Sequence, residues 1–403
     1  MEHVAVTGMG VVTPIGSTTG AFWQSLLQGK RAIAPIEDAG RLSGNRLWAA
    51  VPKEFSHNGE LTPTVARNTD RFTQYALAAT QEAIEQARLD PPPARTAVIV
   101  GNTMGGFPLV AETQTRFLED GGRAVTPKLM ALVIPNMAGA LIAMRWNLHG
   151  PQLAISTACA SSLDAIGLAS GMIERGEIDA AVAGGSETLL SPLVYESLVR
   201  AGALSRNPDP ELASRPFDVD RDGFVMGDGA AFLILERLEI AAARGAVVHA
   251  RIRGYGSVAD AYHITSPDPS ARYEVVAMQD AIDRAGDAGA QCNVVYAHAT
   301  GTIVGDAAES KAIDTVYNNR PAVVTSLKGH LGHSMASAGA MCTVAGIVGM
   351  REGVIPPTMG TQNLDPQTRF DLVVEGPREH AYSAFQVNAF GFGGQNASLI
   401  VSQ

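Results

Sequence analysis

The run "ISTACASSLDAIG", residues 155–167, places one cysteine, Cys159, between a β-branched lead-in and a helix-like pattern. Thr157 and Ala158 end the strand pattern, and Ser161 and Ser162 open the helix. Backbone N–H groups at a helix start are unpaired and carry partial positive charge. A thiolate there is stabilised, so the pKa of Cys159 is expected to fall. The competing reading is a small buried cysteine that only packs. Three other segments carry groups able to serve a nucleophile. "YAHATGTIVGDAAES" holds His298, Thr300, Thr302, Asp306 and Glu309. "TSLKGHLGHSMASAGA" holds Lys328, His330 and His333, and "NAFGFGGQNASL" holds Phe390, Phe392 and a glycine cluster. Each alone reads as a turn. A lone histidine near the end of a strand is more often a satisfied core residue than a catalyst, whereas a cysteine opening a helix can act as a nucleophile.

Short β-branched runs alternate with Ala-rich helical stretches, which argues for an α/β architecture with largely buried strands. "HVAVTGMG" reads as a strand and a turn, and "RFTQYALAATQEAIEQARL" as a helix. The second part of the chain echoes the first. "VVYAHATGT" matches "TAVIVGNTMGG", and "NASLIVS" matches "AAFLILE". "AVVTSLKGHLGHSMASAGAMCTVAGIVGMREG" matches "QLAISTACASSLDAIGLASGMIERGE" as strand, small-residue turn, long helix and Gly stop. Two pseudo-symmetric halves follow, 1–247 and 248–403, with the boundary near Ala246–Arg251.

Composition narrows the function classes. The chain of 403 residues is 46% hydrophobic and 17% charged, enough to bury a large core. No apolar run reaches the length of a membrane span, and no secretory signal is visible, so a cytoplasmic enzyme is expected. Three scattered cysteines (Cys159, Cys292, Cys342) make neither a disulfide framework nor a zinc pattern. The net charge of −10 argues against nucleic acid as a partner.

The segments above, in this order and spacing, resemble the elongating β-ketoacyl-acyl carrier protein synthases of the thiolase superfamily. The resemblance runs from "VAVTGMGVVTPIG" through "FDVDRDGFVMGDGAAFLILE" and "DAYHITSPDP" to "FGFGGQNASLI". It implies a thiolase-like fold: two pseudo-symmetric α/β halves in a layered α-β-α-β-α core. It implies Cys159 as nucleophile, His298 and His333 as the histidine pair, Lys328 as the supporting lysine, and His330 as structural. The backbone N–H groups of Cys159 and Phe392 would form an oxyanion hole. Phe392, between glycines, would gate an acyl pocket lined by Met104. Thr300 and Thr302 would either bond the amides of a phosphopantetheine arm or cap their loop. Asp306 and Glu309 would be supporting carboxylates that bind backbone and lysine, with Lys328 near Glu309 orienting His298 or nearby water.

The resemblance also implies partners. The substrates arrive on an acyl carrier protein, with no tightly bound cofactor and no metal. The enzyme dimerises, either with itself or with a chain-length factor. Arg67, Arg71, Arg123, Lys128 and Arg206 would receive the acidic carrier. The sequence departs from the family pattern at Cys342, where a Glu is common, in "GTIVGD", which lacks a proline, and in "GGQN". These departures suggest a specialised branch such as a type II polyketide ketosynthase. A homodimeric fatty acid elongation enzyme is the alternative. The cysteine argues against a non-catalytic chain-length factor. The lack of a cysteine after Cys342 argues against a degradative thiolase, and His333 argues against an initiating synthase.

Overall fold

The computed structural model describes residues 4–36, 48–53, 55, 62–89, 94–320 and 322–403. An 11-stranded mixed sheet runs through the molecule. In chain order its strands are β1 (Val4–Val12), β2 (Thr96–Gly101), β3 (Gln152–Ile155), β4 (Ala180–Glu187), β5 (Gly229–Arg237) and β6 (Ala250–Ala259). They continue with β7 (Val294–Tyr296), β8 (Val323–Thr325), β9 (Asp371–Leu372), β10 (Ala384–Gly391) and β11 (Gln395–Ser402).

From its centre the sheet reads the same way in both directions. One arm runs β1-β5-β4-β2-β3 and the other β6-β11-β10-β7-β8, with β9 added at the far edge. Each arm pairs antiparallel, antiparallel, parallel, parallel. The arms join through a short antiparallel ladder, Val4–Val6 of β1 against Ala250–Ile252 of β6.

Helices α1 (Arg71–Ala87) and α2 (Met137–Trp146) cover the outer face of the first arm. Helices α4 (Arg272–Ala285) and α5 (Ile303–Val316) cover that of the second. Between the arms lie α3 (Ser161–Glu174) and α6 (Ala338–Glu352), in a core that includes Leu163, Ile166, Val344 and Ile347. Both inner helices are buried on nearly every side because each is packed between the two arms of the sheet. Their N-termini are cross-linked: Ser162 Oγ accepts from Ala340 N–H at 3.0 Å, which satisfies an otherwise orphaned helix-start donor.

The "GMG" expected to form a turn lies inside β1. A Cβ on Gly8 would come 2.0 Å from the Ala83 carbonyl oxygen of α1. In the second half a Cβ on Gly254 of β6 would come 2.0 Å from the Ala281 carbonyl of α4. Gly10 against Ala79 and Gly256 against Ala277 repeat the contact one helical turn away. These glycines are there to let helix backbone lie on strand backbone, which explains why they interrupt neither strand.

Candidate active site

Cys159 sits in a single turn of 3-10 helix, Ala158–Ala160, that leads from β3 into α3. Ala158 takes φ +50°, a left-handed conformation unusual for a residue with a Cβ. Ala299 (φ +24°), next to His298 in the chain, and Met335 (φ +43°), two residues after His333, show the same kind of backbone strain. Strain of this sort persists only where the surrounding structure over-determines it, and it concentrates at functional sites.

The His333 Nε2 atom lies 3.1 Å from Cys159 Sγ. The rings of His298 and His333 meet edge to face with centroids 5.2 Å apart. Sγ and a ring nitrogen of each histidine lie within 4.8 Å of one another. His333 is fixed through its backbone, N–H to Val225 O at 2.7 Å and carbonyl to Gly227 N at 2.9 Å. Its Nδ1 has no hydrogen-bond partner among the described residues, so its tautomer follows what Nε2 faces. Burial, reinforced by the Lys328 ammonium, holds His333 well below the usual histidine range. Burial, then Lys328 and His333, does the same to His298. Two neutral imidazoles therefore face the sulfur at neutral pH.

The pKa of Cys159 runs opposite to the expectation from its helix start. Burial pushes the thiol up to about 11. The Lys328 charge and the backbone N–H groups of Phe392 and Cys159 pull it down, but less strongly. The helix-start argument treats the thiolate as if solvent still reached it, whereas Cys159 is only 4% exposed. The resting sulfur is a thiol.

Glu309 of α5 holds the turn that carries His298. Its carboxylate accepts from His298 N–H at 2.8 Å and Ala299 N–H at 2.6 Å, and from Asn388 Nδ2 at 3.2 Å. Lys328 Nζ donates to the His298 carbonyl oxygen, so the lysine acts on the same turn from its other side. Asp306 accepts from Phe217 N–H at 2.7 Å and Gly301 N–H at 3.0 Å, a backbone-binding role. Thr302 caps α5 by accepting from Gly305 N–H at 3.2 Å, and its hydroxyl meets that of Thr300 at 3.0 Å. His330 is fully buried, with its ring nitrogens 2.7 Å from the carbonyls of Lys30 and Pro357. Cys342 is buried on α6, within electrostatic reach of Lys328 and Glu309.

Phe392 follows β10 at the cavity mouth and is 38% exposed. A Cβ on Gly391 would come 3.0 Å from both Cys159 N and Thr157 O, so a side chain here would press on the nucleophile's turn. Met104 packs in an apolar cluster with Cys159, Leu189, Tyr195, Phe224 and Met335. A cavity of about 340 Å³ joins Cys159, His298, His333, Thr300, Thr302 and Phe392. Arg67, Arg71, Arg123, Lys128 and Arg206 are all exposed. Arg71 is nonetheless engaged, with Nε on the Tyr75 hydroxyl at 2.7 Å and the guanidinium over Phe55.

Two contacts carry no clear sequence signal. Glu187, at the end of β4, accepts from Thr103 N–H at 3.0 Å and so fixes the turn carrying Met104. Met335 Sδ lies 3.6 Å from Cys159 Sγ. Both pair residues far apart in sequence, and neither residue type announces the partner.

Comparison with known proteins identifies the family. Residues 1–241 match the N-terminal domain of β-ketoacyl synthases and residues 249–362 match the C-terminal domain. The chain belongs to the β-ketoacyl synthase family. It is 38% identical to the 3-oxoacyl-[acyl-carrier-protein] synthase 2 of Vibrio cholerae, over 99% of this chain and 98% of the relative. It is 36% identical to the enzyme of that name from Coxiella burnetii, over 100% and 99%. Among solved structures, the ishigamide ketosynthase/chain length factor superposes with a TM-score of 0.92 at 32% identity, over 100% of this chain and 99% of that one. A type II PKS acyl-carrier protein in complex with its ketosynthase bound to the hexaketide superposes with a TM-score of 0.89 at 26% identity, over 100% and 99%. Among the described residues no helix is long and apolar enough to cross a membrane.

Proposed function

We propose that this chain joins an acyl group held on Cys159 to a malonyl unit, with loss of carbon dioxide, and delivers a β-ketoacyl thioester to an acyl carrier protein. The observation that carries the reading is the 3.1 Å contact between Cys159 Sγ and His333 Nε2, with His298 beside it in one cavity. As the sulfur attacks the incoming thioester, its proton passes to His333, which is neutral and able to accept it. The tetrahedral oxyanion is held by the N–H groups of Cys159 and Phe392, each worth about 3–4 kcal/mol. Collapse breaks the carbon–sulfur bond to the carrier, whose thiol leaves with the proton. A malonyl thioester then enters. Its carboxylate leaves as carbon dioxide, and the bonding electrons become an enolate. Neutral His298 donates one N–H to the enolate oxygen, and His333, its tautomer now switched so that Nε2 bears the proton, donates a second. The enolate carbon attacks the acyl-Cys159 carbonyl and closes the carbon–carbon bond; the tetrahedral intermediate then collapses, the sulfur leaves as a thiolate, and a proton from water restores the thiol.

Lys328 is a positioning residue here: it holds the His298 turn through the carbonyl, and its charge adds to burial in keeping both imidazoles neutral. Glu309 and Asp306 set the backbone of the same loop, and Thr300 and Thr302 line the path of the phosphopantetheine arm. Met104 helps to line the acyl pocket, and Phe392 gates it. Arg67, Arg123, Lys128 and Arg206 present exposed positive charge to an acidic carrier. The working unit is a cytoplasmic dimer, divided within each chain at residues 247 and 248. A polyketide role with a chain-length factor is favoured over fatty acid elongation by the departures at Cys342, "GTIVGD" and "GGQN".

The test is an elongation assay with acyl and malonyl groups on a carrier protein, read by product mass, with Cys159→Ala as control. Product that depends on Cys159 supports the reading. Absence of product both alone and with a chain-length factor overturns it.

A further inference from the structure

Arg221 lies in the segment that leads into β5, and its side chain is 5% exposed. Its guanidinium is committed to fixed acceptors. Nε donates to Thr302 O at 3.1 Å and Nη2 to Ile303 O at 2.9 Å, the carbonyls that open α5. Nη1 donates to Asp218 O at 2.8 Å and to Asp365 Oδ2 at 2.7 Å. Asp306 Oδ2 stands 3.9 Å from Nε. Two residues further on, Gly223 N–H donates to Gly301 O at 3.0 Å. Residues 221–223 therefore hold the turn after His298 at three successive carbonyls, Gly301, Thr302 and Ile303.

The same segment continues to the second histidine. The rings of Phe224 and His333 meet edge to face at 5.4 Å. Val225 O accepts from His333 N–H at 2.7 Å, and Gly227 N–H donates to His333 O at 2.9 Å. Residues 221–227 thus grip the His298 turn at one end and His333 at the other. Lys328, on the His333 turn, makes a second link through the His298 carbonyl. The two steps at this site ask different things of that spacing. Loading needs the Cys159 thiol and one base, His333. Condensation needs both imidazoles to converge on one enolate oxygen, and hydrogen bonds weaken steeply as their geometry is lost.

We propose that Arg221 sets the spacing of the two histidines: it clamps the turn after His298 to the segment that carries His333, so that both rings meet one substrate oxygen. This rests on the condensing reading above and adds a positioning residue to it. Arg221 acts through the histidines and takes no part in the bond changes at Cys159.

The experiment separates the two steps in full-length protein. Cys159 is acylated from an octanoyl carrier thioester and followed by intact mass. The acyl-enzyme is then mixed with saturating malonyl carrier thioester, and β-ketoacyl product is read in a single turnover. Arg221→Lys keeps the charge beside Asp306 and Asp365 but cannot reproduce the planar fork. Its loading rate is expected to stay within about twofold of wild type while condensation falls about tenfold, since a shift of about 1 Å can cost up to 10²-fold. Asp365→Asn loosens the clamp from its outer end, and condensation alone is expected to fall about threefold. Equal losses in both steps, as general destabilisation or a disturbed path for the carrier arm would give, overturn the proposal. So does an unchanged condensation rate, or a loss that more malonyl thioester abolishes. If Arg221→Lys does not fold, the same comparison in Asp365→Asn decides. If the wild-type acyl-enzyme forms no β-ketoacyl product, the condensing reading falls and this one with it; if it does, and the variants slow both steps alike, only the clamp falls.

Discussion

Strand β3 turns into α3 through residues 156–160, whereas β8 turns into α6 through residues 326–337. The two units occupy equivalent places in the two arms, and their helices meet at Ser162 and Ala340. The first half uses a tight turn to hold one thiol. The second uses a longer turn to deliver Lys328 and His333. The difference shows how a repeated frame yields a site with unlike members. The sulfur and its base need not be neighbours in sequence if the pseudo-symmetry brings equivalent turns together.

The largest expected effects come from breaking this pairing at each side. Cys159→Ala removes the covalent intermediate, and condensation is expected to fall by more than about 10³-fold in steady-state assays. His333→Ala removes the proton acceptor and one enolate donor, and a fall of about 10²–10⁴ is expected. Because both act on one sulfur, the double variant should be little worse than the poorer single one. Losses that multiply would mean the turns act independently, contrary to the 3.1 Å contact.

The second comparison is mechanical. Gly8→Ala and Gly254→Ala each put a methyl 2.0 Å from a helix carbonyl, so each should destabilise by about 1–3 kcal/mol or more. Thermal melting reads this directly. Similar losses in the two variants support equivalent construction; a silent substitution in one half would break it.

How much of this was legible beforehand depended on how local the signal was. The β5 and β11 pattern, the α3 and α6 helices and the paired echoes between halves rest on short-range patterns, and the sheet order agrees with them. The "GMG" stretch reads as a turn yet lies in β1, because a glycine in a strand and a glycine in a turn look alike until the packing helix is known. Its match to "GYG" in β6, with alanines four apart on α1 and α4, was available in the sequence as a second repeat. The pKa of Cys159 was not available: position at a helix start is local, whereas burial depends on every element packed around it.

A milder test uses the carboxyls that hold the two post-strand turns. Burial raises both Glu187 and Glu309 to about 7. Glu309→Gln puts an amide where two N–H groups converge, and kcat is expected to fall about tenfold through displacement of His298. Glu187→Gln disturbs the Met104 turn instead, so its effect should appear in acyl-chain preference, read by competition between chain lengths. Equal effects on kcat would mean that the first half shapes the chemistry as directly as the second.

The smallest expected effect is on pH dependence. A histidine with a depressed pKa stays neutral as pH falls through 6.5 and gains its proton only well below that value. Cys159, pushed up to about 11, remains a thiol from there to mildly alkaline pH. Acyl loading, which needs a thiol and a neutral base, should therefore have a nearly flat kcat/KM between about pH 6.5 and 9. Lys328→Ala removes the charge that disfavours imidazolium, so the acid limb should move upward towards 6.5 while the thiol rises further. An acid limb that moves downward, or an unaltered limb, would separate Lys328 from the histidines and leave the carbonyl contact as its whole role.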